Sequence, residues 1–203
     1  MRENLDPDLR PDNALLCGVD EVGRGALAGP VVAAAVVMPP GVMIEGIEDS
    51  KRLTPSRRIS LDALIRCRAA ALAVGAAGCT CIEQRNILGA TLRAMQRAVH
   101  GLRVKPGLVL VDGNIVPELD LPCRGVVGGD RRSFSIACAS IVAKVFRDRL
   151  MERLSARYPG YGLERHKGYG TPEHIRALLR LGPSPIHRRT FAPVRALLQS
   201  ATS

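Results

Sequence analysis

Ala14-Leu-Leu-Cys-Gly-Val-Asp-Glu-Val-Gly-Arg-Gly-Ala-Leu-Ala-Gly-Pro-Val-Val-Ala-Ala-Ala-Val-Val-Met38 reads as two neighbouring strands joined by a glycine-rich connection. Ala14 to Asp20 and Val31 to Met38 are apolar and rich in β-branched residues, and Pro39-Pro40-Gly41 stops the second run. The connection opens with the acidic pair Asp20 and Glu21 and turns at Gly23-Arg24-Gly25. Two carboxylates suit a hard divalent cation, and glycine lets main-chain N–H groups approach a ligand that a Cβ would keep away. An acidic pair before a glycine is also the composition of an ordinary solvated turn. Adjacent strand residues point to opposite faces, so the pair can share an ion only where the strand ends and the chain bends, as Gly23 allows.

Further along, the chain alternates strand-like and helical patterns. A helix is predicted from about Pro55, capped by Thr54, with Leu61, Leu64, Ile65 and Leu72 at helical spacing. Ala71 to Ala77 reads as a third strand, followed by a helix carrying Leu88, Leu92, Met95 and Val99 and stopped by Gly101. Gly107 to Val111 and Arg124 to Val127 are short strand-like segments, ending in Asp112-Gly113 and in Gly128-Gly129-Asp130. Ile136, Ala139, Ala143, Phe146, Leu150 and Leu154 then line one face of a helix of roughly twenty residues or more. Another helix follows Thr171-Pro172, and a short one is predicted from about Ala192 to Gln199. The reading is α/β, with residues 1–13 a loose N-terminal segment, one domain over 14–199, and a helical C-terminal extension from about 158.

Asp20 with Glu21, Asp112 and Asp130 all follow short apolar segments and sit against glycine. If those strands share a sheet, four carboxylates gather at their ends, which is costly unless cations neutralise them. Two Mg2+ ions would do so and would support in-line displacement at a phosphodiester. The 29 Lys and Arg against 19 Asp and Glu, a net charge of +10, favour a polyanionic partner, while 3% aromatic content without Trp argues against extensive base stacking. None of the six cysteines forms a zinc-site pair, and most lie among apolar residues, as expected for reduced thiols. Met1 to Asn13 lacks a signal peptide's apolar core, and no charge-free run reaches membrane-spanning length. A cytoplasmic location and no membrane partner are expected.

From about Leu15 to Leu197 the chain resembles the bacterial type 2 ribonucleases H, the ribonuclease HII family. The matching blocks are Gly18-Val-Asp-Glu-Val-Gly-Arg-Gly25, Asp49-Ser-Lys51, Asn86-Ile-Leu88, Val111-Asp-Gly-Asn114, Gly129-Asp130, Ser135-Ile-Ala137 through Arg147-Asp148, His166-Lys-Gly-Tyr169, and His187-Arg-Arg with Phe191-Ala-Pro193. The resemblance implies a ribonuclease H-like fold, a central mixed β-sheet flanked by helices. It implies a metal-dependent endoribonuclease that cuts the RNA strand of RNA–DNA hybrids and nicks 5′ of single ribonucleotides in duplex DNA. Mg2+ or Mn2+ would serve, two ions during catalysis, leaving 3′-hydroxyl and 5′-phosphate ends in a role of ribonucleotide removal. Its substrates would be hybrid and ribonucleotide-containing duplexes, and a monomer is expected.

By the same resemblance Asp20, Glu21, Asp112 and Asp130 are the catalytic metal ligands, Gly23, Arg24 and Gly25 sense the ribose 2′-hydroxyl, Lys51 meets a phosphate, and Tyr169 packs on the sugar at the RNA-to-DNA junction. The 2′-hydroxyl alone separates RNA from DNA at a site, and a close backbone can bond it as donor and acceptor. Asp148 matches an acidic position near the family's active site and is equally placed to pair with Lys144 four residues earlier. His166 and Lys167 help place substrate, and His187 and Arg188 tie down the C-terminal extension. Two positions depart from the family pattern: Gly128 stands where Lys is common, and Phe146, on the apolar helical stripe, stands where Thr is usual. A non-catalytic binder of hybrid duplexes is the competing reading, which the four acids oppose.

Overall fold

The computed structural model describes residues 4–10, 14–47 and 53–200. Five strands form one mixed sheet: β1 (Leu16–Val22), β2 (Val31–Val37), β3 (Ala71–Ala77), β4 (Leu108–Asp112) and β5 (Cys123–Val126), in the order β3-β2-β1-β4-β5. The first three pair antiparallel, and β4 and β5 run parallel to β1. Strand β1 is therefore central, with Asp20 opposite Ala34 and Glu21 opposite Ala33 on β2.

Side-chain alternation sorts the sheet into two apolar layers. Cys17, Val19, Val31, Ala33, Ala35 and Val37 face α3 (Cys79–His100), whereas Ala34 and Val36 face α2 (Pro55–Arg68) and α5 (Phe134–Arg157). Small residues set the helix–sheet distance. A Cβ on Gly75 would lie 2.1 Å from the Ala94 carbonyl oxygen of α3, and one on Gly18 would lie 2.1 Å from the Ser135 carbonyl carbon of α5. Gly18 thus lets α5 rest directly on β1, two residues before Asp20.

Thr54 caps α2 as predicted, accepting from Arg57 N at 3.3 Å. Leu64 is nonetheless 40% exposed, and Leu72 belongs to β3 rather than to the helix, so the buried stripe is Leu61 and Ile65. In α3 the buried face is Ala90, Thr91, Ala94, Met95, Ala98 and Val99, and Leu88 and Leu92 lie at its margin. That helix is kinked at Asn86, whose φ of 57° breaks it and whose Oδ1 accepts from Leu88 N and Gly89 N to cap the second part.

The predicted stripe on α5 is displaced by one residue at its centre. Phe146 is 39% exposed, so it is no packing residue, and Arg147 is fully buried in the row that includes Ala143 and Met151. Nor do residues 4–10 form the loose segment expected. Helix α1 (Asp6–Leu9) docks against the start of α5, where Asp6 Oδ1 accepts from Ser133 Oγ at 2.5 Å and Oδ2 accepts from Ser135 N and Oγ at 2.8 and 2.7 Å. Leu5 and Leu9 pack on Leu16, Leu110, Val126 and Ile136.

Past α5, the helices α6 (Leu163–His166), α7 (Pro172–Leu181) and α8 (Ala192–Ser200) share an apolar cluster with Leu27, Ala28 and Met151. Isolated bridges Ala26–Tyr169 and Ala28–His187 join this region to the connection after β1. The short α4 (Gly129–Arg132) lies between β5 and α5. Among the described residues, no helix is long and apolar enough to cross a membrane, and all six cysteines are free thiols.

Candidate active site

Asp20, Glu21 and Asp112 meet where β1 and β4 run side by side at the middle of the sheet. Asp20 lies on the face of Gly18, toward α5, and is 6% exposed. Burial first, then the charges of Glu21 and Asp112, hold its carboxyl well above the ordinary range, partly countered by hydrogen bonds from Ser140 and from the Glu21 N–H at 2.7 Å. Glu21 is also raised, by burial first and by Asp112, against the pull of Arg24, whose Nη1 is 3.4 Å from Glu21 Oε1. Strand β1 ends at Val22, so the pair closes the strand directly before the turn at Gly23, where the charge of Glu21 reaches Asp20. Glu21 and Asp112 share a cleft of about 100 Å3 against Thr91 of α3.

Asp112 Oδ1 accepts from Gly129 N at 2.7 Å, which ties the end of β4 to the start of α4. Asp130, next in the chain, is 8% exposed, and its Oδ1 is 3.8 Å from Arg131 Nε. Gly128 adopts the left-handed conformation, φ 65°, in which a side chain such as Lys would be strained.

Among the described residues no three His, Cys, Asp or Glu side chains converge as a finished ligand set. By donor chemistry the residues nonetheless fit a hard divalent cation. Asp20, Glu21 and Asp112 offer only oxygen, repel one another in a buried place, and would each be relieved by positive charge.

The glycine loop is fixed from below by two buried arginines. Gly23 turns the chain at φ 92°, where an added Cβ would lie 2.1 Å from Arg147 Nε. Arg188 donates from Nε to Gly29 O at 3.0 Å, from Nη1 to Arg24 O at 2.7 Å and from Nη2 to Gly23 O at 2.7 Å. Arg147 donates to Pro30 O, Lys167 O and Ala28 O at 2.8–3.1 Å. Its guanidinium stands 5.5 Å from the centre of the Tyr169 ring. Above this base Arg24 and Gly25 are exposed, and a Cβ at Gly25 would meet open space. Tyr169 is 36% exposed and bridged to Ala26, so ring and loop are neighbours.

Of the other sequence candidates, Lys51 lies outside the described residues. Asp148 is held at 2.7 Å by Lys144 Nζ, with Arg58 Nη2 at 4.0 Å, which is the ion-pair alternative. Lys167 Nζ is engaged by Glu152 Oε1 and Glu164 O, both at 2.6 Å. His166 supports the turn before Tyr169, with Nδ1 accepting from Gly168 N and Nε2 against Tyr161 O. Sequence reasoning missed Arg147 and Ser140, and it gave Arg188 only an anchoring role, whereas its donors end on the glycine loop. The signal for Arg147 was present: a charged residue four places after Ala143 and four before Met151, inside an apolar row.

Residues 17–194 match the family model described as Ribonuclease HII. The chain is 54% identical over 191 residues to a ribonuclease HII of Paracoccus denitrificans, covering 94% of this chain and 90% of that one. It superposes on the crystal structure of ribonuclease H2 from Pyrococcus horikoshii with a TM-score of 0.80 at 25% identity, covering 93% and 99% of the two chains. A Bst ribonuclease HIII solved in complex with Mn2+ shares the fold, with TM-score 0.70, 19% identity, and 92% and 70% coverage. On a match that spans most of its length, the chain belongs to the ribonuclease HII family of metal-dependent endoribonucleases.

Proposed function

We propose that this protein hydrolyses the RNA strand of RNA–DNA hybrids and nicks duplex DNA on the 5′ side of single embedded ribonucleotides, leaving 3′-hydroxyl and 5′-phosphate ends. One observation carries the reading: three mutually repelling carboxylates, Asp20, Glu21 and Asp112, stand beside a glycine loop that is bridged to an exposed tyrosine. The first half suits phosphodiester hydrolysis, and the second suits a ribose at a junction.

Asp20, Glu21 and Asp112, with Asp130 adjoining through Gly129, would hold Mg2+ or Mn2+. When bound, two such ions would supply activation of the attacking water and stabilisation of the leaving oxygen. The chain's own groups do the rest. Main-chain groups of Gly23 to Gly25 bond the 2′-hydroxyl, which distinguishes a ribonucleotide from its neighbours. Tyr169 packs on the following sugar and selects the junction. Lys51 meets a phosphate, and the +10 net charge draws the duplex in. The protein acts as a monomer in the cytoplasm, where its cysteines stay reduced.

The test uses matched duplexes, one with a single ribonucleotide and one a continuous hybrid, with Mg2+ and with Mn2+. Wild type should cut both, and Asp20→Asn should bind without cutting. Absence of any nick at the single ribonucleotide with either metal would remove the proposed specificity. Absence of cleavage on both substrates would remove the enzyme reading.

A further inference from the structure

The turn that carries Tyr169 rests on three of the chain's four histidines. His174 on α7 is fully buried, and His187 is 1% exposed. His174 Nδ1 lies 2.9 Å from Tyr169 O, and its Nε2 lies 3.0 Å from His187 Nε2. His187 Nδ1 lies 3.0 Å from Ser184 N and 2.8 Å from Ser184 Oγ.

Both ends of this series are fixed by chemistry, because a carbonyl only accepts and a peptide N–H only donates. His174 must carry its proton on Nδ1 to serve Tyr169 O, and His187 Nδ1 must be bare to accept from Ser184 N. The contact between the rings then has one solution, His187 Nε2–H donating to His174 Nε2. A proton added to His174 would set N–H against N–H between the rings at 3.0 Å, and one added to His187 would set its Nδ1–H against Ser184 N–H, also at 3.0 Å. Burial, with the neighbouring imidazoles adding to it, pushes both rings below the usual imidazole range, His187 to about 4.

The groups facing the pair are His166, stacked on His174 at 4.4 Å, the Tyr161 ring, 4.8 Å from His187, and Cys79 of α3, whose thiol donates to Ile186 O. Arg188 follows His187 but gives its donors to the glycine loop. None of these supplies a negative charge to an imidazolium at neutral pH.

We propose that His174 and His187 are positioning residues for substrate selection: as a neutral, one-way hydrogen-bond relay they fix the Tyr169 main chain and thereby the angle at which its ring meets the sugar. The proposal rests on Tyr169 being the ring that packs on the junction sugar. The relay also makes α7 and the segment around Ser184 part of the selection device.

Two measurements test it. Imidazole nitrogen spectra of the intact protein at neutral pH should show His174 as the Nδ1–H tautomer and His187 as the Nε2–H tautomer. A charged ring or the reverse assignment overturns the relay, whatever Tyr169 does. In parallel, kcat/KM on a single-ribonucleotide duplex is divided by that on a continuous hybrid. His174→Ala, which leaves Tyr169 O without its donor, should lower this ratio roughly tenfold, through KM more than kcat. His174→Asn, which keeps a donor where Nδ1 stood, should recover most of it. A folded His174→Ala with an unchanged ratio, while Tyr169→Ala lowers it, overturns the positioning role and leaves the Tyr169 reading intact. An unchanged ratio in Tyr169→Ala overturns both. Should His174→Ala fail to fold, the spectra and the ratio in His174→Asn decide, a tenfold loss there counting against the relay.

Discussion

Replacing Arg188 by methionine should loosen the glycine loop and cost stability at the same time. The guanidinium is fully buried and donates to the carbonyls of Gly29, Arg24 and Gly23. Methionine keeps an apolar stem but donates nothing and loses the guanidinium that stands 5.1 Å from the centre of the Phe191 ring, so three carbonyls lose this donor; Gly23 O keeps the 3.4 Å bond from Ala26 N. At a net value of roughly 1–1.5 kcal/mol per bond the loss is about 3–4.5 kcal/mol. Burial pushes Arg188 down to about 10, a desolvation cost that methionine does not carry, so the lower end is expected. For a chain of this size that corresponds to a fall in Tm of about 6–12 °C. Arg188→Lys should be intermediate, because an ammonium restores charge but not the planar fork that spans three carbonyls. The assay is thermal unfolding followed by cleavage of the matched duplexes, where Arg188→Met should lose preference for the single ribonucleotide before it loses activity on the hybrid. An unfolding midpoint within about 2 °C of wild type, with unchanged preference, would refute the reasoning.

Three further outcomes are expected. Asp20→Asn should abolish cleavage and raise stability: the folded carboxyl sits above its ordinary value of 3.8, so its ionisation costs stability as pH rises through the folded value. The gain should therefore be present at neutral pH and vanish near pH 3 in denaturant titrations, and equal stability of the two proteins at pH 7 would contradict it. Gly18→Ala drives a Cβ into the α5 backbone and should cost about 1–3 kcal/mol while lowering kcat, because α5 carries the Ser140 that bonds Asp20; a fully active variant of wild-type stability would sink the close-packing account. Because His187 is depressed to about 4, its contribution is complete above about pH 6.5 and declines as pH falls from there toward 4, by at most about 3 kcal/mol. The difference in unfolding free energy between wild type and His187→Gln should shrink across that window, and a constant difference would exclude the effect.

The strands were legible because β1 to β4 carry short apolar runs rich in Val, Ala and Leu, and the four acids stand out in the sequence because they follow such runs close to a glycine. What escaped the sequence was contact between distant segments. Asp6 looked solvated because its partners, Ser133 and Ser135, stand 127 and 129 residues away. The loop-holding roles of Arg147 and Arg188 escape the sequence because their partners are carbonyls, which every residue carries and no motif advertises. Phe146 and Leu64 were read as core because apolarity was counted without knowing where the neighbouring layer ends. The bend expected at Gly23 is real, but hydrogen bonding to β2 carries β1 two residues beyond Asp20, which a local reading of the acidic pair did not reveal.

The arginine base beneath the loop determines which atoms the loop shows to the outside. A trans peptide holds its C=O and the next N–H in one plane and pointing in opposite directions. Drawing the oxygens of Gly23 and Arg24 inward onto Arg188 therefore rotates the amide hydrogens of Arg24 and Gly25 outward. The loop becomes a surface that offers donors because its acceptors have been internalised. Under the proposed role, a preference for an oxygen-bearing ligand would be written into the orientation of two peptide planes, and side chains on the outer surface could vary without erasing it.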